Sequence, residues 1–105
     1  MFIELRDQER LLTHNYVLVE TTAVVQHRLG ATATRTLLEH LIEPLYVVWV
    51  DEFVHRQAVS AFLAGGSTRL SLVDRTSFEV MRRLGIETAF AFDRDFADEG
   101  FATVP

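Results

Sequence analysis

Tyr46-Val47-Val48-Trp49-Val50 is an unbroken apolar run of β-branched and aromatic residues. A strand covered on both faces accounts for such a run, with Trp49 in the core. Ala89-Phe90-Ala91-Phe92 reads as a second buried strand, and Asp93-Arg94-Asp95 leaves its end. Between the two, Asp51 caps a helix running to about Ala64, where Gly65-Gly66-Ser67 stops it. A further helix spans about Leu72 to Leu84 and closes at Gly85. Strands alternating with helices predict an α/β domain with a mostly parallel sheet.

Toward the N-terminus, Leu11-Leu12-Thr13-His14 reads as a short strand, with Asn15 as the N-cap of the next helix. That helix covers Tyr16 to Leu29 and closes on Gly30, and a second helical pattern, Thr34 to Ile42, stops before Pro44. Phe2 to Glu9 reads as the end of a helix, and Phe101 to Pro105 as a short edge strand. The chain carries no internal repeat, linker or low-complexity segment, so residues 1–105 are expected to form one domain.

The 105 residues include 15 acidic and 10 basic side chains, a formal charge of −5, and 49% are hydrophobic. That apolar fraction supports an ordinary core and argues against disorder. An acidic chain does not bind nucleic acid by bulk electrostatics, so an RNA ligand would need metal ions or local arginines to offset repulsion. Arg75, Arg82 and Arg83 are the one local basic group, a solvated helix face or a contact for RNA phosphate or a partner. The absence of cysteine removes disulfides, thiolate zinc sites and a Cys nucleophile, and is compatible with the cytoplasm, the expected compartment. No apolar run reaches the roughly 18 residues of a membrane span, and the charged first ten residues are unlike a secretory signal.

Three carboxylates stand out. Around a helical wheel, Glu20 is flanked by Tyr16, Val17, Ala23 and Val24, which predicts that its acid projects from an inward face. A Glu at the helix margin reaching solvent or an arginine is the alternative. Asp74 heads an apolar stripe containing Phe78 and Met81, yet Ser71-Leu72-Val73-Asp74 also fits a capping box, and both roles are compatible. Asp93 follows a buried strand at the sheet edge where α/β domains bind ligands, but a turn-forming Asp fits equally. Together the three suit a hard cation such as Mg²⁺ or Mn²⁺ acting on phosphate esters. The four histidines lack zinc spacing, Gly65-Gly66 lacks a phosphate-loop Lys, and Asp93-Arg94-Asp95 lacks the Gly and Glu of a calcium loop.

Three segments together resemble the PIN-domain family, and within it the toxins of VapBC toxin–antitoxin pairs. They are Thr13 to Glu20; Ser71 to Phe78 with Met81-Arg82-Arg83-Leu84-Gly85-Ile86; and Ala91 to Phe96 followed by Gly100-Phe101. The resemblance covers nearly the whole chain. It implies a three-layer α/β/α fold and a Mg²⁺- or Mn²⁺-dependent endoribonuclease, with RNA as substrate and an antitoxin-like protein as partner. It further implies that Glu20, Asp74 and Asp93 are the metal-site carboxylates, that Asn15 supports the start of the Glu20 helix, and that Ser77 lies beside Asp74.

One departure accompanies the match. The family begins with a central strand ending in an Asp ligand, whereas Asp7 is the first Asp here. The expectation is therefore a domain lacking that strand between Leu11–Thr13 and Phe90–Phe92, either shortened or completing its sheet through a further copy of the chain, with a weakened metal site and impaired activity. A non-catalytic protein that oligomerises or binds an antitoxin-like peptide through Leu37, Leu38, Leu41 and Ile42 is the alternative. A Mg²⁺-dependent phosphatase is a weaker third reading, because it needs an Asp after the first strand.

Overall fold

The computed structural model of the chain describes residues 3–6, 10–65, 69–86, 88–90 and 102–104, with side-chain surroundings for 11–65 and 69–86. Among the described residues, five strands form one sheet: β1 (Ile3–Arg6), β2 (Arg10–His14), β3 (Tyr46–Val48), β4 (Thr88–Phe90) and β5 (Ala102–Val104), in the order β3-β2-β1-β4-β5. The outer pairings are parallel, with His14 opposite Val48 and Phe90 opposite Val104. Ala102–Val104 is thus the edge strand expected for the chain's end.

At the N-terminus the helical reading of Phe2 to Glu9 is corrected. Ile3–Arg6 is a strand, paired antiparallel with β2 (Leu5 opposite Leu11) and with β4 (Ile3 opposite Phe90). Ile3-Glu4-Leu5-Arg6 alternates apolar and charged residues, the period of a pleated strand. The flanking strands offer unpaired backbone groups, and local propensity yields to that pairing. β1 therefore holds the slot between β2 and β4 that the family comparison left open.

Helix α1 (Asn15–Thr36) bends at Gly30, whose φ of 85° and ψ of −172° lie in a region that only glycine adopts without strain. The sequence places one helix end there and starts another at Thr34. Instead the chain bends and re-enters a helix at once, then ends in a π-helical turn, Leu37–Leu41, that packs back on α1. Helices α2 (Glu52–Gly65) and α3 (Leu72–Leu84) pack along one another. Ala58 of α2 is fully buried, and Asp51 Oδ1 accepts from Val54 N at 2.8 Å to cap α2. α3 opens with a complete capping box between Ser71 and Asp74 and closes on left-handed Gly85 (φ 66°), both as the sequence predicts.

The core is Leu12 of β2, Val17 of α1, Val54 of α2, Phe78, Val80 and Met81 of α3, and Ile86, with Val48, Val50, Leu70 and Val73 packed against it. Trp49 is not among them. Its side chain is 74% exposed, because β3 is an edge strand and Val48 and Val50 on either side of Trp49 take the inward positions. The expectation of a strand covered on both faces fails for the same reason, with Tyr46 47% exposed. Among the described residues, no helix is long and apolar enough to cross a membrane.

Candidate active site

β2 and β3 deliver the chain to one edge of the sheet, and the starts of α1 and α2 follow directly. Four side-chain contacts tie this edge together. Asn15 Oδ1 accepts from Val50 N at 2.7 Å, joining the first residue of α1 to the segment after β3. Asn15 is thus not the side-chain cap the sequence suggested. The cap position is His14, which makes no capping bond, and the Asn15 amide turns sideways to a backbone donor otherwise left without a strand partner. Tyr16 Oη and His55 Nδ1 are hydrogen-bonded at 2.7 Å, linking α1 to α2, and their rings meet edge to face with centroids 5.8 Å apart.

The third contact is the most buried. His14 is fully buried at the end of β2, and its Nε2 lies 2.8 Å from Oγ of Ser77 on α3, itself 1% exposed. Ser77 Oγ also lies 3.1 Å from Val73 O, and with its one hydroxyl proton on that carbonyl the His14 tautomer that completes the contact is the one protonated on Nε2. Burial lowers the His14 pKa from 6.5 to about 4, so the ring is neutral near pH 7. The histidines looked unpromising in sequence for want of zinc spacing. What marks His14 is its place in Thr13-His14-Asn15, three polar residues directly after the apolar Leu11-Leu12 of a strand. Its partner lies 63 positions away and no local pattern reveals it.

The fourth contact sits one turn before Ser77. Asp74 Oδ2 accepts from Ser71 N at 3.0 Å, and Asp74 N donates to Ser71 Oγ at 3.1 Å. The carboxylate is half-buried at the head of α3. Glu20 differs from its expectation: its side chain is exposed, as are Ala23 and Val24 on the same stripe. Only Tyr16 and Val17, nearest the sheet, turn inward, because beyond the first turn and a half α1 leaves the sheet edge behind. The marginal, solvent-reaching Glu is the reading that holds. Asp93 lies outside the described residues.

Glu20 and Asp74 offer carboxylate oxygens, no thiol exists in the chain, and the His14 nitrogen nearest to Ser77 is taken up by that hydroxyl. This donor chemistry fits a hard divalent cation rather than zinc or copper. Among the described residues, no three His, Asp or Glu side chains cluster as a closed metal site. The arginines at the other end of α3 are exposed. Arg83 stacks on the Phe53 ring at 4.7 Å, and Arg82 lies 5.9 Å from the Phe78 ring and 3.8 Å from Glu79.

A second feature lies on α1 and the π-helical turn. Leu18, Val19, Thr22, Ala23, Leu38 and Ile42 line an open apolar groove of about 550 Å³. Val19 (69% exposed) and Leu41 (61%) leave this side of the molecule unusually apolar.

The model of the PIN domain matches residues 2–101. The 23S rRNA-specific endonuclease VapC20 of Mycobacterium tuberculosis, in two strains, is 36% identical over 95 residues, covering 90% of this chain and 72% of the relative. The crystal structure of Mycobacterium tuberculosis VapC20, described as a Sarcin-Ricin loop cleaving toxin, superposes with a TM-score of 0.79 over 89% of this chain and 72% of that one. The α/β/α architecture and the match along nearly the whole chain agree, and the chain belongs to the PIN-domain family, in its VapC-type branch.

Proposed function

We propose that this chain is a Mg²⁺- or Mn²⁺-dependent endoribonuclease, the toxin of a toxin–antitoxin pair. The supporting observation is its 36% identity, across 90% of its length, to an endonuclease specific for 23S rRNA. In this reading Glu20, Asp74 and Asp93 hold the cation, Asp74 through Oδ1 while Oδ2 remains in the capping box. Asn15 and Ser77 support the helices that carry the first two. When bound, the ion supplies a water of lowered pKa and neutralises charge at the phosphate. The exposed Arg82 and Arg83 offer guanidinium groups to RNA phosphates, which an acidic chain needs.

The antitoxin-like partner is assigned to the apolar groove of Leu18, Val19, Ala23, Leu38 and Ile42, and a second copy of the chain and a cytoplasmic location complete the reading. The same groove favours one rival, a non-catalytic binding protein. Cleavage of a single-stranded RNA separates them. Cutting should require Mg²⁺ or Mn²⁺, stop in EDTA, and fall at least about 100-fold in Glu20→Gln and Asp74→Asn. Undiminished cutting by both variants removes Glu20 and Asp74 as the metal site, and no cutting by the folded chain, free of any partner and supplied with Mg²⁺ or Mn²⁺, selects the rival.

A further inference from the structure

His14 closes β2 and directly precedes α1, while Ser77 sits in the second turn of α3. Their 2.8 Å hydrogen bond is the buried polar tie between the element that leads to Glu20 and the element that carries Asp74. At 1.5 Å of rise per residue, Glu20 lies about 9 Å along α1 from His14, and Asp74 about 4.5 Å along α3 from Ser77. Helices are stiff over such lengths, so a shift at the tie is carried to both carboxylates. With the Ser77 proton on Val73 O, His14 Nε2–H is the donor in this contact. The surroundings allow little slack: Leu12, Val17, Phe78 and Met81 are all buried.

We infer that His14 is a positioning residue: through its hydrogen bond to Ser77 it sets the separation of α1 and α3, and with it the affinity of Glu20 and Asp74 for a divalent cation. The inference rests on the metal reading above. A metal-bound carboxylate tolerates little displacement, and groups that orient ligands typically influence affinity by about 10–100-fold. His14 acts here through Ser77, its hydrogen-bond partner, and is assigned no place among the ion's ligands.

The test is Mn²⁺ binding to the full-length chain, read by electron paramagnetic resonance of free Mn²⁺, with thermal unfolding of each variant alongside. His14→Ala and Ser77→Ala should each raise the Mn²⁺ Kd about tenfold, with the double variant no worse than either single one. His14→Gln, whose amide N–H can donate to Ser77 Oγ, should stay within about threefold of the parent. Glu20→Gln and Asp74→Asn serve as controls for the metal reading. If they weaken binding while His14→Ala and Ser77→Ala do not, the positioning role is overturned and the metal site stands. Losses in His14→Ala that His14→Gln does not rescue, and that track a fall in Tm, reduce the tie to a purely structural contact and also overturn it. If the two carboxylate variants bind Mn²⁺ like the parent, the metal reading itself falls, and the inference with it. Ser77→Ala keeps the test decisive should His14→Ala fail to fold, since it removes one exchangeable hydroxyl from a helix that otherwise retains its core.

Discussion

The side-chain carbonyl of Asn15 accepts a hydrogen bond from the backbone N–H of Val50 at 2.7 Å, fastening the first residue of α1 to the chain that leaves β3. The donor is part-buried and has no strand partner at this point, so the Asn15 amide satisfies it. Asn15→Ala leaves that N–H unpaired and should cost about 1–3 kcal/mol. Asn15→Asp keeps an acceptor in place and should cost less. Urea denaturation of the three proteins, at matched m-value, is the check.

His14 makes stability depend on pH in a definite direction. Its pKa falls from 6.5 to about 4 on folding because the buried ring resists charging. Between those values the unfolded chain binds the extra proton, so stability is complete above pH 6.5 and is lost as pH falls toward 4. The full effect is on the order of 3 kcal/mol. Carboxylates also titrate in the lower part of this window, so the informative quantity is the difference between parent and His14→Gln. That difference should shrink steadily as pH falls from 6.5 to 4, measured by denaturation at each pH. A constant difference would mean that His14 is charged in the folded protein.

Gly30 should resist substitution for a backbone reason alone. A Cβ placed there meets nothing within 4 Å, yet φ 85° with ψ −172° is closed to L side chains. Gly30→Ala should therefore cost about 1–3 kcal/mol, or straighten α1 and open the groove between Leu18 and Leu38. Thermal unfolding reports the first result and loss of partner binding the second.

Trp49 and Phe78 should respond in opposite ways to truncation. Phe78 is 1% exposed in the centre of the core, and Phe78→Ala should cost about 3–5 kcal/mol. Trp49, exposed directly after the edge strand β3, should tolerate Trp49→Ser within about 0.5 kcal/mol. Chemical denaturation of the pair measures both.

These contrasts show which parts of the fold a sequence exposes. The α3 cap at Ser71 and Asp74 and its end at Gly85 are legible because short-range backbone chemistry demands particular residues there, whereas Gly30, read as a helix end, is a bend within α1. Trp49 and Ile3–Arg6 were misread because their states depend on neighbours distant in sequence. An apolar run on an edge strand looks like one at the centre, and four alternating residues become a strand only when β2 and β4 flank them. Glu20 was misread because a helix stripe stays apolar after the helix has passed the sheet edge. The His14–Ser77 tie was invisible for the same reason, both partners being ordinary polar residues until the chain closes.

The most direct measurement is a crystal structure of the chain grown with Mn²⁺ and recorded at the manganese absorption edge. One anomalous peak is expected within reach of the carboxylates of Glu20, Asp74 and Asp93, on the order of 2 Å from their oxygens. Three carboxylates directed to separate surfaces, or manganese bound elsewhere, would contradict the account.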